Sequence, residues 1–241
     1  MRISKKVWNN FTKRLRMLDD KAAELVTEYI ASHEVDTEKG IADLIDFAYG
    51  VSTKYGEGSA ALSAQMYDAI AELSGKLLPP AVPARTATYN ETARAVHGAR
   101  LFSKDPSVTA GAVSRLVKTA GADTTLQNAE RDGAEFAWIP SGDTCAFCLT
   151  LASRGWQKVS KRTLKNGHAE HIHNNCDCTY AVRFNNSTDV EGYDHDKYLN
   201  WYNSEPGKPK DKINAMRREM YQENKDHINE LKRAAYERNK D

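Results

Sequence analysis

Cys145-Ala-Phe-Cys148 and His173-Asn-Asn-Cys176-Asp-Cys178 together contain all 4 cysteines of the chain. Two cysteines separated by two residues can wrap a tight turn around one zinc ion, with each sulfur about 2.3 Å from the metal. The second segment adds an imidazole and two thiols, so more ligands are available than a tetrahedral site needs. The pattern predicts structural zinc bound by Cys145, Cys148 and Cys176, with His173 or Cys178 completing the site and the other lying just outside it.

The redox environment decides whether these cysteines bind metal or form disulfides. Residues 1–32 lack the uninterrupted apolar block and the small-residue cleavage site of a signal peptide, so we expect synthesis in a reducing cytosol. Closely spaced cysteines in that compartment more often hold metal, and a bound zinc contributes on the order of 10 kcal/mol to a small fold. Two disulfides between the two segments are the alternative in an oxidising environment.

Composition limits the classes of function. Charged residues make up 28% of the chain and balance to a formal charge of +1, so the overall field does not favour nucleic acid and any such binding must be local. No stretch approaches the ~20 consecutive apolar residues of a membrane span. We therefore expect no membrane partner.

Hydrophobic periodicity predicts helices over most of the chain. Apolar residues at spacings of three and four, beginning with Val7 and Phe11, predict a helix over the first ~30 residues. A second helix, capped by Asp36 or Thr37, is expected until Gly56 and Gly58 interrupt it, and a third as far as about Leu73. We treat residues 1–77 as a helical arm, and residues 78–88, which hold three prolines, as a linker.

The remainder divides into three predicted parts. Residues 89–133 form a helical region that begins at an Asn90 cap and is broken by Gly121. Residues 134–186 form a zinc knuckle in which short strands, near 135–139 and 179–184, flank the cysteine segments. Residues 187–241 form a tail with a charged helix from about Asp211. The predicted fold is mainly α, with a helical N-terminal arm, a small zinc-stabilised α+β knob and a helical tail.

Two classes of metal-dependent enzyme, a deaminase and a nuclease, are alternatives to a structural zinc site. His168-Ala-Glu170 matches the His-x-Glu element of zinc deaminases, but in those enzymes it precedes the paired cysteines and here it follows them. Crowding of His171 and His173 with Asn174 and Asn175 is typical of a zinc-supported His-Asn-His nuclease. No catalytic pair outside the knuckle is evident, and a site closed by soft ligands leaves no position for a reacting water. We therefore predict no enzymatic activity and no small-molecule substrate.

The order of residues around the cysteines resembles one family. The matching stretches are Trp138-Ile-Pro-Ser-Gly-Asp-Thr-Cys-Ala-Phe-Cys-Leu-Thr-Leu-Ala-Ser-Arg-Gly155, His173-Asn-Asn-Cys-Asp-Cys178, Glu191-Gly-Tyr-Asp-His-Asp196, Met216-Arg-Arg-Glu-Met-Tyr221 and Lys232-Arg-Ala-Ala-Tyr236. From about Asn128 onward the chain is similar to the C-terminal domain of phage Mu protein F-like minor head proteins, particularly those of phages with Gram-positive or actinobacterial hosts. His173 is the matching imidazole, whereas Asn175 stands where relatives often have a further histidine.

The resemblance implies a minor structural protein of a tailed-phage head. Its expected partners are the portal protein and other head proteins, with packaged DNA as a further candidate. It would be assembled in the host cytoplasm and reside in the virion, near the portal vertex. The N-terminal helices would dock on a partner through their apolar stripes. The zinc knob would present exposed aromatic residues such as Trp156 and Tyr180; the alternative is that these rings cover the knuckle itself, which we expect for Phe147.

Overall fold

The protein is mainly helical, as predicted from its sequence. The computed structural model describes residues 2–140, 145–160, 163–165, 168–169, 172, 178–186, 188–223, 225, 229–230 and 233. Within these ranges 7 helices account for most of the structure, and the strands are few and short. Two of the predicted zinc ligands, His173 and Cys176, lie outside the described residues, as do Glu170 and His171.

Four long helices form the body of the molecule. They are α1 (Lys5–Ser32), α2 (Glu38–Leu73), α3 (Tyr89–Phe102) and α4 (Pro106–Asp132). Each begins after a residue whose side chain accepts a hydrogen bond from the first turn, namely Ser4, Thr37, Thr88 and Asp105. These caps satisfy backbone N–H groups that have no partner within the helix.

Three local predictions about these helices were wrong. Helix α3 is capped by Thr88 rather than Asn90, because Thr88 and Glu91 form a capping box. Helix α2 runs through Gly56 and Gly58, and α4 runs through Gly121, without interruption. A glycine costs an isolated helix only about 1 kcal/mol, which tertiary packing readily offsets.

Helix α4 lies at the centre of the body. It contacts α1, α2 and α3, and a buried apolar cluster joins all four helices through Val26, Leu44, Val96, Val113 and Val117. The first two helices are therefore part of the packed body rather than a projecting arm. The apolar stripe of α1 also differs from the prediction, because Trp8 is buried whereas Val7 is 51% exposed.

The proline-containing segment 79–88 is extended and is fastened to the body. The side-chain amide of Asn128, on α4, accepts from Val82 N and donates to Val82 O, both at 2.9 Å. Asp68 and Thr124 accept from two further backbone N–H groups of the segment. The segment predicted as a proline-rich linker is therefore hydrogen-bonded to α2 and α4 and lies as a strap across these helices.

A small sheet shares its core with the helices. The strands are β1 (Arg2–Ile3), β2 (Glu135–Ile139), β3 (Gln157–Lys158), β4 (Leu164–Lys165), β5 (His168–Ala169), β6 (Thr179–Arg183) and β7 (Asp189–Val190). The two predicted strands are confirmed as β2 and β6, which pair antiparallel, with β2 as the central strand of the order β3-β2-β6. Phe136 and Trp138 pack in one buried cluster with Trp8 of α1 and Leu126 of α4.

The described part of the tail docks on the same end of the body. The remaining helices are α5 (Ala146–Ala152), α6 (His195–Ser204) and α7 (Pro209–Glu223). Met216 of α7 is fully buried, and its sulfur lies 3.8 Å from Thr150 Oγ1 of α5. None of the described helices combines the length and the apolar character needed to cross a bilayer.

Candidate metal centre

The register of β2 and β6 brings together the two strand ends that lie nearest to the cysteine segments along the chain. Ile139, the last residue of β2, is paired with Thr179, the first residue of β6. The chain leaves β2 towards Cys145, and Cys178 directly precedes β6. Antiparallel pairing therefore starts both segments from neighbouring positions, as the closure of one zinc site would require.

The first cysteine pair lies on the first turn of α5. Cys145 is the N-cap residue, and its backbone oxygen accepts from Leu149 N at 3.1 Å. Cys148 follows three residues later on the same turn, where it is only 1% exposed. The two-residue spacing thus places both thiols at the same end of one short helix.

Cys178 lies towards α6 and is partly buried. Burial, and then the nearby Cys178, raise the pKa of Tyr198 above its ordinary value. The aromatic residues near the cysteines are less exposed than a docking surface requires, since Tyr180 is buried and Phe147 and Trp156 are partly buried. The expectation that Tyr180 is presented to a partner is therefore wrong, and its ring instead packs against Trp138.

The zinc site itself is only partly within the described structure. Thiolates and an imidazole are a ligand set that zinc prefers, and the strand register is compatible with their convergence. Within the described residues, however, no group of three or more His, Cys, Asp or Glu side chains is placed to hold a metal ion. Zinc bound by four of Cys145, Cys148, His173, Cys176 and Cys178 consequently stays a prediction.

His168 belongs to a polar cluster that the sequence did not reveal. Its Nδ1 lies 2.6 Å from Asp123 Oδ2 on α4, and its Nε2 lies 2.7 Å from Arg85 Nη2 on the strap. A tautomer protonated on Nδ1 donates to Asp123 and accepts from Arg85. Because both ring nitrogens are engaged by protein groups, this arrangement does not support His168 as the metal ligand of a deaminase-like site.

Two carboxylates of this cluster have opposite pKa shifts. The guanidinium of Arg85, followed by hydrogen bonds from Thr88, holds the pKa of Glu91 well below its ordinary range. Burial raises the pKa of Asp123, although Ala169 N and His168 donate to it. Glu91 therefore stabilises the folded state as a carboxylate, whereas burial disfavours the ionised form of Asp123.

Replacing Glu91 with glutamine should make the free energy of unfolding depend less on pH in the acidic range. The folded pKa of Glu91 lies below its unfolded value near 4.5, so its contribution is complete above that pH and is lost as the pH falls towards the folded pKa. At pH 7 we expect a loss of about 1.5 kcal/mol in unfolding free energy, which is typical of hydrogen bonds to a charged group.

Urea denaturation from pH 7 down through 4 measures this effect. The difference between wild type and Glu91→Gln should shrink as the pH falls. Glu130→Gln, an exposed change on α4, is the control and should alter stability by less than about 0.5 kcal/mol. A Glu91 difference that stays constant with pH would refute the assigned role of this carboxylate.

Comparison with known families identifies the chain at the family level. The sequence model of the VG15 protein family matches residues 2–205. The chain belongs to the VG15 family. The matched part of this VG15 protein includes the four long helices, both cysteine segments and α6. No curated protein and no solved structure matches it.

The family is a viral gene family, and this confirms the coarser part of the prediction from sequence. The protein belongs to a phage protein family, and hence to the virion or to the phage-infected cell. The narrower resemblance to Mu protein F-like minor head proteins rests on the sequence motifs alone.

Proposed function

We propose that this VG15 protein is a minor structural protein of a tailed-phage head. It would associate with the portal vertex and act in head assembly and in the packaging or ejection of DNA. The observation that carries the proposal is membership of a viral family over residues 2–205. The ordered motifs around the cysteines resemble those of minor head proteins, and this resemblance supports a role in the head.

The packed body supports a structural role. Helices α1, α2 and α4 share one buried core with β2 and β6, and Cys178 directly precedes β6. Zinc would hold the two cysteine segments in one shape without itself supplying chemistry. A protein built in this way can present a fixed surface to a neighbour in an assembly.

The end of α3 offers a candidate surface for the portal. Leu101 and Phe102 are adjacent, and they are 88% and 85% exposed. Large apolar side chains, aromatic ones especially, often supply most of the binding energy when an interface buries them. Val7 and Met17 of α1 are also exposed, but to a smaller extent. They mark the alternative docking surface, because α1 belongs to the N-terminal helices predicted to dock on a partner.

Incorporation into phage particles tests both the function and the surface. A phage that lacks the gene is complemented with wild type, with Leu101→Ser plus Phe102→Ser, or with Val7→Ser plus Met17→Ser. Mass spectrometry of purified particles should find the wild-type chain in few copies. The α3 pair should lower incorporation at least tenfold, a loss of about 1.4 kcal/mol in binding, while leaving thermal stability unchanged.

The α1 pair is the matched control. If the α1 pair lowers incorporation and the α3 pair does not, the docking surface lies on α1, and the proposed role as a head protein is still supported. Absence of the wild-type chain from particles at every stage of assembly would refute the function itself.

A further inference from the structure

A cleft of about 360 Å³ lies between α3, α4, the strap and β5. Three arginines line it, each from a different element: Arg85 from the strap, Arg94 from α3 and Arg115 from α4. Such a volume falls within the range of small-ligand sites and far exceeds the space for one water molecule.

The carboxylates in the cleft are already occupied by donors. Glu91 receives both terminal nitrogens of Arg85, at 2.8 and 2.9 Å, and also the backbone N–H and the hydroxyl of Thr88. Asp123 receives Ala169 N at 2.5 Å and His168 Nδ1 at 2.6 Å. Neither carboxylate forms an ion pair with the other two arginines, and even with both carboxylates ionised the three arginines exceed them by one positive charge.

Arg94 and Arg115 are the two arginines of the cleft without a direct acidic partner among the described residues. Within the described part of the chain, neither of them forms a salt bridge, whereas Arg85 is paired with Glu91. Arg115 is half-buried between the buried residues Ser114 and Leu116. Keeping a guanidinium partly out of water without an acidic partner costs free energy, which a bound anion would offset.

The remaining lining suits a ligand with an apolar part. Ala87, Ala95, Leu116 and Ala120 form apolar patches beside the arginines. An arginine fork matches the oxygens of a phosphate group and forms paired hydrogen bonds to it. Overall, the chain has a net charge of only +1, so a positive site of this kind is a local feature of the fold.

We propose that this cleft binds a nucleotide through its phosphate, with Arg94 and Arg115 as the anion ligands and the alanine-lined wall against the sugar or base. The phosphate could belong to a free nucleotide or to a unit of a DNA strand, since both present the same chemistry. The proposal depends on the cleft alone and holds whether or not the protein is a head component.

Binding of two probes tests the proposal on the full chain. A fluorescently labelled short single-stranded DNA is followed by anisotropy, and a deoxynucleoside monophosphate is titrated by calorimetry. Arg115→Gln should weaken binding at least tenfold. Arg14→Gln removes the same charge from an exposed position on α1, outside the cleft, and should leave binding within twofold.

Each outcome is decisive. Binding of the monophosphate identifies a site for free nucleotides, and binding of DNA alone identifies a strand phosphate; both support the proposal. No binding of either probe, or equal loss in Arg115→Gln and Arg14→Gln, would overturn it. A nucleoside without phosphate that binds as tightly would also overturn it. If Arg115→Gln does not fold, the exposed Arg94→Gln variant answers the same question.

Discussion

Replacing Gly121 with valine is expected to lower the free energy of unfolding by about 3 kcal/mol, the upper part of the range for overpacked cores. A Cβ atom at Gly121 would lie 2.5 Å from Ser59 Oγ, 2.9 Å from Ser63 Oγ and 3.3 Å from the backbone oxygen of Ser59. The hydroxyl groups can rotate away, but the backbone of α2 cannot. The two γ-methyl groups of valine would therefore push α2 and α4 apart where they pack most closely.

A matched valine substitution separates this effect from helix propensity. Gly50 is exposed on α2, and a Cβ atom added there meets nothing within 4 Å. Gly50→Val should be neutral or slightly stabilising, because valine has a somewhat higher helix propensity than glycine. Denaturant unfolding of both variants measures the difference. Equal stability of Gly121→Val and Gly50→Val would show that the α2–α4 contact is not as tight as described.

Replacing Cys148 with serine is expected to abolish zinc binding. Cys148 is almost completely buried on the first turn of α5, and loss of its thiolate would leave the ion short of one ligand. Protein purified under reducing conditions should contain about one zinc per chain, and the variant should contain close to none. Limited proteolysis should then become faster between residues 145 and 178, while the far-ultraviolet circular dichroism of the long helices persists.

Thr150→Val is the control for packing damage within α5. Thr150 is buried on the same helix, and its hydroxyl donates to Ala146 O. We expect this variant to lose about 1 kcal/mol of stability and to retain its zinc. Wild-type protein without metal, with the masses of oxidised cysteine pairs, would instead favour the disulfide alternative and refute the zinc prediction.

Patterns within single elements were predicted with most success. The period of apolar residues predicts α1, and alternation predicts β2 and β6, because each pattern reflects the repeat of a single element. Even here the buried face of α1 includes Trp8 rather than Val7, since the packing of α1 against α2 and α4 decides which side of the helix is covered.

The glycines show where local rules fail. Gly56 and Gly121 resemble helix breaks in the sequence, yet a Cβ atom at Gly56 would lie 3.0 Å from Thr86 Cγ2 and one at Gly121 would meet α2. A glycine that permits close approach of two elements has the same letter as one that ends a helix. Only the partner surface distinguishes the two roles.

By itself, the sequence determined the helical character of the chain, the two short strands and the grouping of the four cysteines, because these depend on residues near one another along the chain. The tertiary structure alone decided that Asp123 and Glu91 meet His168, which lies 45 and 77 residues from them, and that three arginines face one cleft. It also decided that the predicted proline-rich linker is hydrogen-bonded to α4 through Asn128. Contacts of this kind arise from the packing of whole elements, and no local pattern records which elements will meet.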